Sequence, residues 1–489
     1  MLKRVVVSIA ILLLLLIAVL AVNTMRHGSR QLEVPPAPAL AVDQAAAAER
    51  LAVAIRARTV SAPTDASVNA DQFRLLHEHL RSAYPRVHAT LKREEVNGLS
   101  LLYTWPGSDP AAQPILLLAH QDVVPIAPGT EGDWAVPPWS GEVKDGFVWG
   151  RGSWDDKGNL IAQLEAVEML IASGFQPRRT IYLAFGADEE VGGLRGAAQI
   201  AKLLAERKVK LDFVIDEGLV ITDGVLPGLP APVALIGIAE KGYVSVNLRL
   251  QGAPGHSSMP PPKGSGVIAQ TSAALVRIEE QQFPAALRGV AREMFDTIAP
   301  EMGGVQRVVL SNLWLFGPLV QRQLEAAAST NAMLRTTTAL TVVRAGEREN
   351  VMPGRAEAII NFRILQGDSI GSVVEHVKRA VGDERFEVSA AGGNEPSRLS
   401  PTNSPSFQLI NRTVREVFPG TLVAPGLMIA GTDSKHFEGI SDHVYRFSPV
   451  RAKPEDLPRF HGTNERLGAA NLAAMVRFYH RLLAQGAGQ

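Results

Sequence analysis

The chain has no cysteine in 489 residues. That excludes disulfides and thiolate nucleophiles, and leaves histidine and carboxylate as the side chains able to hold a metal. It has no surplus charge either, with 49 Lys and Arg against 49 Asp and Glu. Gripping nucleic acid needs a basic excess, so nucleic acid is not an expected partner. No Gly-x-Ser-x-Gly elbow occurs, which removes a common serine-hydrolase signature. Internal repeats and long low-complexity segments are missing as well. The length exceeds what one core supports and predicts two or three domains.

One feature is abundant at the start. Lys3 and Arg4 precede an apolar run, Val5 to Val22, followed by Asn23-Thr24-Met25-Arg26. A basic flank before an apolar core reads as an export signal, and spanning a bilayer takes ~20 apolar residues. Residues 1–22 are expected to be a signal anchor. With Lys3 and Arg4 inside, the bulk of the chain lies outside the cytoplasm. Cleavage after Ala21 would make the protein secreted, and the sequence leaves both outcomes open. Residues 23–48, with Pro35, Pro36 and Pro38, read as a spacer lifting the body off the membrane.

Between 115 and 238, short apolar runs alternate with helical patterns. Strands are predicted at Ile115–Ala119, Thr180–Phe185, Leu211–Ile215 and Val233–Ile238, with helices at 159–173 and 193–206. Apolar strands between amphipathic helices imply an α/β fold, a mostly parallel sheet flanked by helices. Near residue 240 the pattern changes. Alternating strands at 244–250, 337–344, 355–364 and 385–390, with helices at 265–280, 284–297, 320–328 and 369–381, suggest an inserted α+β domain spanning 240–393. Residues 49–239 and 394–489 then form the catalytic domain.

Polar groups cluster where strands end, the place where ligands gather in such sheets. His120 and Asp122 share a face at two-residue spacing, so the carboxylate can accept the second imidazole N–H. Asp155 and Asp156 lie in a glycine-rich turn, Gly150-Arg151-Gly152 to Lys157-Gly158. Spacing does not choose between them. Adjacent carboxylates at Glu189 and Glu190 repel unless a cation or proton separates them, which suits a metal ligand beside a general base. Asp216 ends a buried run and needs a partner there. His461 follows near the C-terminus. Two histidines and several carboxylates suit a pair of zinc ions, with Co2+ or Mn2+ as alternatives. Such a pair favours water attack on an amide.

His120-x-Asp122-Val123-Val124-Pro125, Gly150-Arg151-Gly152-x-x-Asp155-Asp156-Lys157-Gly158, Asp188-Glu189-Glu190-Val191-Gly192-Gly193, Asp216-Glu217-Gly218, Gly255-His256-Ser257-Ser258 and His461-Gly462-Thr463-Asn464-Glu465 resemble the M20 metallopeptidases. The likeness runs over about residues 50–485. Within the family it is to the carboxypeptidase S and N-fatty-acyl-amino-acid hydrolase (PM20D1-like) branch. The resemblance implies that Asp155 bridges two zinc ions across a cis Asp155–Asp156 peptide. His120 and Asp216 complete one site, and Glu190 and His461 the other. Glu189 is the general base, and Asp122 supports His120. The inserted segment corresponds to a lid that can also form a homodimer. From it His256 reaches the substrate carbonyl, while Asn350, Arg363 and the Gly431-Thr432 loop hold the substrate carboxylate. Gln366 departs from the family pattern near the substrate mouth. Hydrolysis N-terminal to a free-carboxylate amino acid follows, as carboxypeptidase or N-acyl-amino-acid amidohydrolase. Deacetylation of small acetylated amino acids and a non-catalytic metal-stabilised binding module are the alternatives.

Overall fold

The computed structural model describes residues 1–488 apart from Pro227. Its centre is an eight-stranded sheet in the order 92–96, 100–105, 181–186, 115–120, 213–222, 444–452, 233–240, 422–428. Ile115–His120 runs parallel to both neighbours, Ile181–Gly186 and Phe213–Thr222, and the edge at Lys92–Val96 is antiparallel. Every side chain of Ile115–His120 is buried. Alternate residues explain this. Ile115 and Leu117 enter one core with the helices Gln44–Arg56, Lys157–Ala172 and Ala469–Gly488, whereas Leu116 and Leu118 enter a second core with Ala197–Glu206. A strand covered on both faces needs no polar side, which is why the sequence shows unbroken apolar runs.

The second layer is an antiparallel sheet in the order 337–345, 355–364, 242–251, 387–394. Val244, Val246, Leu248 and Leu250 alternate inward against the helices Val267–Glu280 and Ile370–Val381, forming a separate core. The chain crosses between the layers at Glu240–Gly242 and near Asn394–Ser397. Gln366 spans both crossings, donating to the Glu240 carbonyl at 2.8 Å and reaching the Ser397 carbonyl at 3.5 Å.

Two expectations require correction. Helices Gly289–Ile298, Gly304–Ser311 and Leu313–Glu325 fall inside the 240–393 stretch, yet they pack on the Leu422–Met428 edge of the large sheet, sharing a core with Val233 and Ala424. Residues 304–319 also carry helix that the pattern did not reveal. Apolar residues there (Val308 to Leu310, Leu313 to Phe316) crowd out any 3.6-residue period.

The second correction concerns residues 23–48. The helix Leu2–Arg26 is long and apolar enough to cross a membrane and buries none of its residues in the protein. The Pro/Ala-rich stretch after it does not stand away from the body. The Gln31 side chain pairs with both the N–H and C=O of Val423 at 2.8 and 3.0 Å. The Ala37 N–H donates to the Glu416 carbonyl, and Arg477 donates to the Leu40 carbonyl. Proline-rich backbone is extended with free carbonyls, and here Arg477 supplies a partner for the one at Leu40.

Candidate active site

Each carboxylate oxygen of Asp155 faces one imidazole. Oδ1 lies 2.9 Å from His120 Nε2, and Oδ2 lies 2.7 Å from His461 Nε2. Asp156 turns away. Its Oδ1 accepts from Asn159 Nδ2 at 2.5 Å and its Oδ2 from the His120 N–H at 3.2 Å. Asp155 thus faces both imidazoles, and the Asp155–Asp156 peptide is cis. Glu190 Oε1 sits 3.5 Å from His461 Nε2, buried and without a hydrogen-bond partner. Donor atoms of His120, Asp155 and Glu190 fall within 4.8 Å of one another, as do those of His120, Glu189 and Glu217, and those of Asp155, Asp156 and Glu217.

Asp216 is in none of these groups. Its Oδ1 accepts from the Glu217 N–H at 2.9 Å and its Oδ2 from the Ser434 N–H at 2.7 Å, so both oxygens are engaged by backbone. Glu217 stands next to it, with Oε1 3.5 Å from His120 Nε2. The cause is a β-bulge: Asp216 pairs with Arg446 and Leu219 with Phe447, leaving Glu217 and Gly218 as extra residues. Gly218 has φ +138°, and a bulge re-aims the side chain beside it. Adjacent carboxylates at a strand end were visible in the sequence, but the bulge between them and Leu219 was not.

Asp122 makes two kinds of contact. Its carbonyl, at 2.9 Å, meets His120 Nδ1 and fixes the imidazole, whereas its carboxylate Oδ1 is 3.4 Å from that nitrogen. The carboxylate instead accepts the N–H groups of Glu189 and Glu190, both at 3.1 Å, and the Ser61 hydroxyl at 2.7 Å. It therefore holds the short 3-10 turn Glu189–Val191 against His120. Gly193 closes that turn at φ +71°, where an added Cβ would collide with the Asp433 carboxylate.

Arg151 and Glu465, quoted in the motifs without a role, form a buried clasp. Glu465 accepts the N–H groups of Gly152, Trp154 and Asp155 at 2.9–3.1 Å and Arg151 Nη1 at 2.6 Å. Arg151 Nη2 donates to the carbonyls of His461 and Gly462, both at 3.0 Å. One ion pair thus ties the Asp155 turn to the His461 loop. Breaking such a pair by removing one partner typically costs ~3–5 kcal/mol.

The remaining expected residues lie apart. Thr432 donates its hydroxyl to Glu240 Oε2 at 2.9 Å and, like Gly431, belongs to the loop preceding Ser434, which is tied to Asp216. His256 and Asn350 are exposed on the ribbon where Gly255–His256 pairs with Val351–Met352, and Arg363 lies over the Tyr243 ring at 5.0 Å. Among the described residues, no hydrogen bond or ion pair joins these three to the Asp155 cluster.

The electrostatics match a cation site. Burial, and then the Asp155 charge, pushes Glu217 up to about 8. Burial pushes Asp216 up to about 6 and raises Glu190 and Glu189 as well. Against its own burial, Asp155 is held well below the usual carboxylate range by hydrogen bonds from His120 and His461, and the Asp155 bond together with the Glu190 carboxylate 3.5 Å away lifts His461 to about 10. Crowded carboxyls kept protonated by burial release their protons to a metal. The imidazole and carboxylate donors and the orphaned Glu190 oxygen fit zinc or a similar divalent ion.

A pH prediction follows. Glu217, Asp216 and His461 all have folded values above their ordinary ones of 4.5, 3.8 and 6.5. Between those ordinary values and the raised ones, the metal-free folded chain binds more protons than the unfolded chain, so its stability falls as pH rises. The Tm of chelator-treated protein should drop from about pH 5 to about pH 8, and divalent metal should remove most of that drop.

The model for peptidase family M20/M25/M40 matches residues 116–485. The chain belongs to peptidase family M20. It is 41% identical over 440 residues to the N-fatty-acyl-amino acid synthase/hydrolase PM20D1 of Xenopus tropicalis, covering 89% of this chain and 85% of that protein. It is 39% identical over 484 residues to the probable carboxypeptidase S-like 2 of Dictyostelium discoideum, with 96% and 92% covered. The fold matches the M20 family metallo-carboxypeptidase Sso-CP2 of Sulfolobus solfataricus at TM-score 0.66 and 18% identity, covering 91% of this chain and 99% of that one. Human carnosine dipeptidase 1 gives 0.63 at 16% identity, with 91% and 97% covered. The M20 chain described here is therefore a metal-dependent enzyme of the metallopeptidase and amidohydrolase type.

Proposed function

We propose that this M20 enzyme hydrolyses the amide bond N-terminal to an amino acid with a free carboxylate, acting as a carboxypeptidase or an N-acyl-amino-acid amidohydrolase. The observation that carries the proposal is Asp155 set between His120 and His461, with Glu190 and Glu217 close by and Glu189 alongside. His120, Asp155 and Glu217 would hold one zinc ion, and Asp155, Glu190 and His461 the other. Bound there, a metal pair lowers the pKa of water and polarises a carbonyl. Glu189 takes the proton of the attacking water and returns it to the leaving amine. Asp122 keeps Glu189 in register through the backbone of its turn. Arg363, Asn350 and the Gly431-Thr432 loop hold the substrate carboxylate, a task suited to a guanidinium fork. His256 donates to the carbonyl oxygen as charge develops there. These lid residues reach the centre when residues 242–251, 255–280 and 337–394 close over it or when a second copy presents its own lid. The helix Leu2–Arg26 spans a membrane as an anchor, with the body on its extracytoplasmic side.

Amino-acid release should be measured across C-terminal dipeptides, acetyl-amino acids and long-chain-acyl amino acids, each beside its C-terminal amide, with and without chelator. The proposal expects chelator-sensitive release that the amide analogues lose. Equal release from the amides would remove the carboxylate requirement. Release confined to fatty-acyl substrates would select the amidohydrolase arm, and release confined to dipeptides the carboxypeptidase arm.

The bulge at Gly218 makes a further contrast testable. Glu217→Gln should lower metal content with little loss of fold, because that carboxyl belongs to the centre. Asp216→Asn keeps an acceptor for the Ser434 N–H and should retain metal. Metal content by mass spectrometry, set beside the thermal transition, separates the two. Metal loss in Asp216→Asn with retention in Glu217→Gln would reverse the assignment.

A further inference from the structure

We propose that the helices Gly304–Ser311 and Leu313–Glu325 form a second membrane contact, lying in the headgroup region of a phospholipid bilayer beside the N-terminal helix. This rests on the reading of Leu2–Arg26 as a spanning helix. One face of the pair is accounted for, since Leu310, Leu313 and Val320 are buried against the edge of the large sheet. The opposite face is apolar too: Val305 is 77% exposed, Trp314 59% and Leu319 63%. Leu315 and Pro318 are also exposed there.

The occupant is indicated by what adjoins this face. Asn312, between the two helices, donates to Thr24 Oγ1 at 3.1 Å and to the Leu20 carbonyl at 3.3 Å, and accepts from Asn23 Nδ2 at 3.1 Å. His27 bonds to the Ser311 hydroxyl at 3.1 Å and the Asp296 carbonyl at 2.8 Å. The point where Leu2–Arg26 leaves the protein is therefore the junction of these two helices. Residues after it are tied to the body within four or five positions, at Gln31. Such short tethering keeps the body against whatever surface the helix enters. Exposed apolar side chains with a tryptophan are what an interfacial helix presents to acyl chains. Arg26, Arg30 and Arg322 are exposed on these same segments, where lipid phosphates would pair with them. Several exposed apolar side chains on one pair of helices call for a partner, and here the bilayer adjoins them.

The absence of cysteine makes the test direct, because a single introduced thiol is labelled uniquely. Full-length protein carrying Leu319→Cys, Ile9→Cys or Val143→Cys is labelled with an environment-sensitive fluorophore and reconstituted into phosphatidylcholine–phosphatidylglycerol vesicles. Some of the lipids carry a nitroxide quencher on the acyl chain near the headgroup. The proposal expects lipid-dependent loss of emission at 319, as at position 9, with none at position 143 on the exposed strand Glu142–Lys144. Quenching at 9 with emission at 319 matching 143 would overturn the second contact while leaving the anchor intact. No quenching at 9 would remove the anchor reading and this proposal with it. A blue-shifted but unquenched label at 319 would mean that a second copy of the chain covers the face, and would also overturn it.

Discussion

Glu189→Gln is expected to cut amide hydrolysis by about 10²–10⁴-fold or more, the range that a positioned general base contributes. Metal content should stay unchanged. The amide retains the shape of the carboxylate but does not accept the water proton, and Glu189 is held in place by its backbone N–H to Asp122 rather than by its side chain. Substrate affinity should change little, so the loss should fall on kcat and on kcat/KM equally. Steady-state release of the amino acid, with metal stoichiometry measured on the same preparation, checks this. Retained turnover would take the base role away from Glu189.

Asp155→Asn should have the other large effect, and of a different kind. Asp155 meets His120 and His461 through separate oxygens. Replacing one oxygen by an N–H donor spoils the group proposed to join the two metals, so both should be lost rather than one. The decline in affinity should exceed the 10–100-fold typical of removing an outer partner of a metal ligand. Activity should fall below that of Glu189→Gln at any attainable metal concentration. The fold should survive, since the Asp155 N–H to Glu465 and the Arg151–Glu465 pair do not involve the altered side chain. Full occupancy of both metals in Asp155→Asn would remove the bridging role.

Much of the layout was legible because unbroken apolar strands and their polar ends are local signals. His120, Asp155 and the Glu189-Glu190 pair lie apart in sequence, yet each follows or adjoins an apolar run or a glycine-rich turn, whereas His461 sits in a loop after Leu457–Arg459 that carries no such signal. The bulge at Glu217-Gly218 was not legible, because opposite Arg446 and Phe447 it breaks the two-residue alternation. Nor was the work of the Asp122 carboxylate. Its partners are backbone N–H groups in a turn nearly seventy residues away, and no side-chain spacing records them. Helix over 304–319 was hidden for the opposite reason. Apolar residues on both faces, one set buried and the other exposed, leave no period to read. The Pro/Ala-rich stretch looked like a free spacer because composition reports stiffness, whereas Gln31 and Ala37 show it hydrogen-bonded along the body.

The central claim is that Asp155 joins two metal ions between His120 and His461. Crystals of zinc-loaded protein, measured on both sides of the zinc absorption edge, test it most directly. The account predicts two anomalous peaks about 3.5–4 Å apart, one on each side of the Asp155 carboxylate. The first should contact His120 and Glu217, and the second Glu190 and His461. A single peak, or peaks away from Asp155, would contradict it.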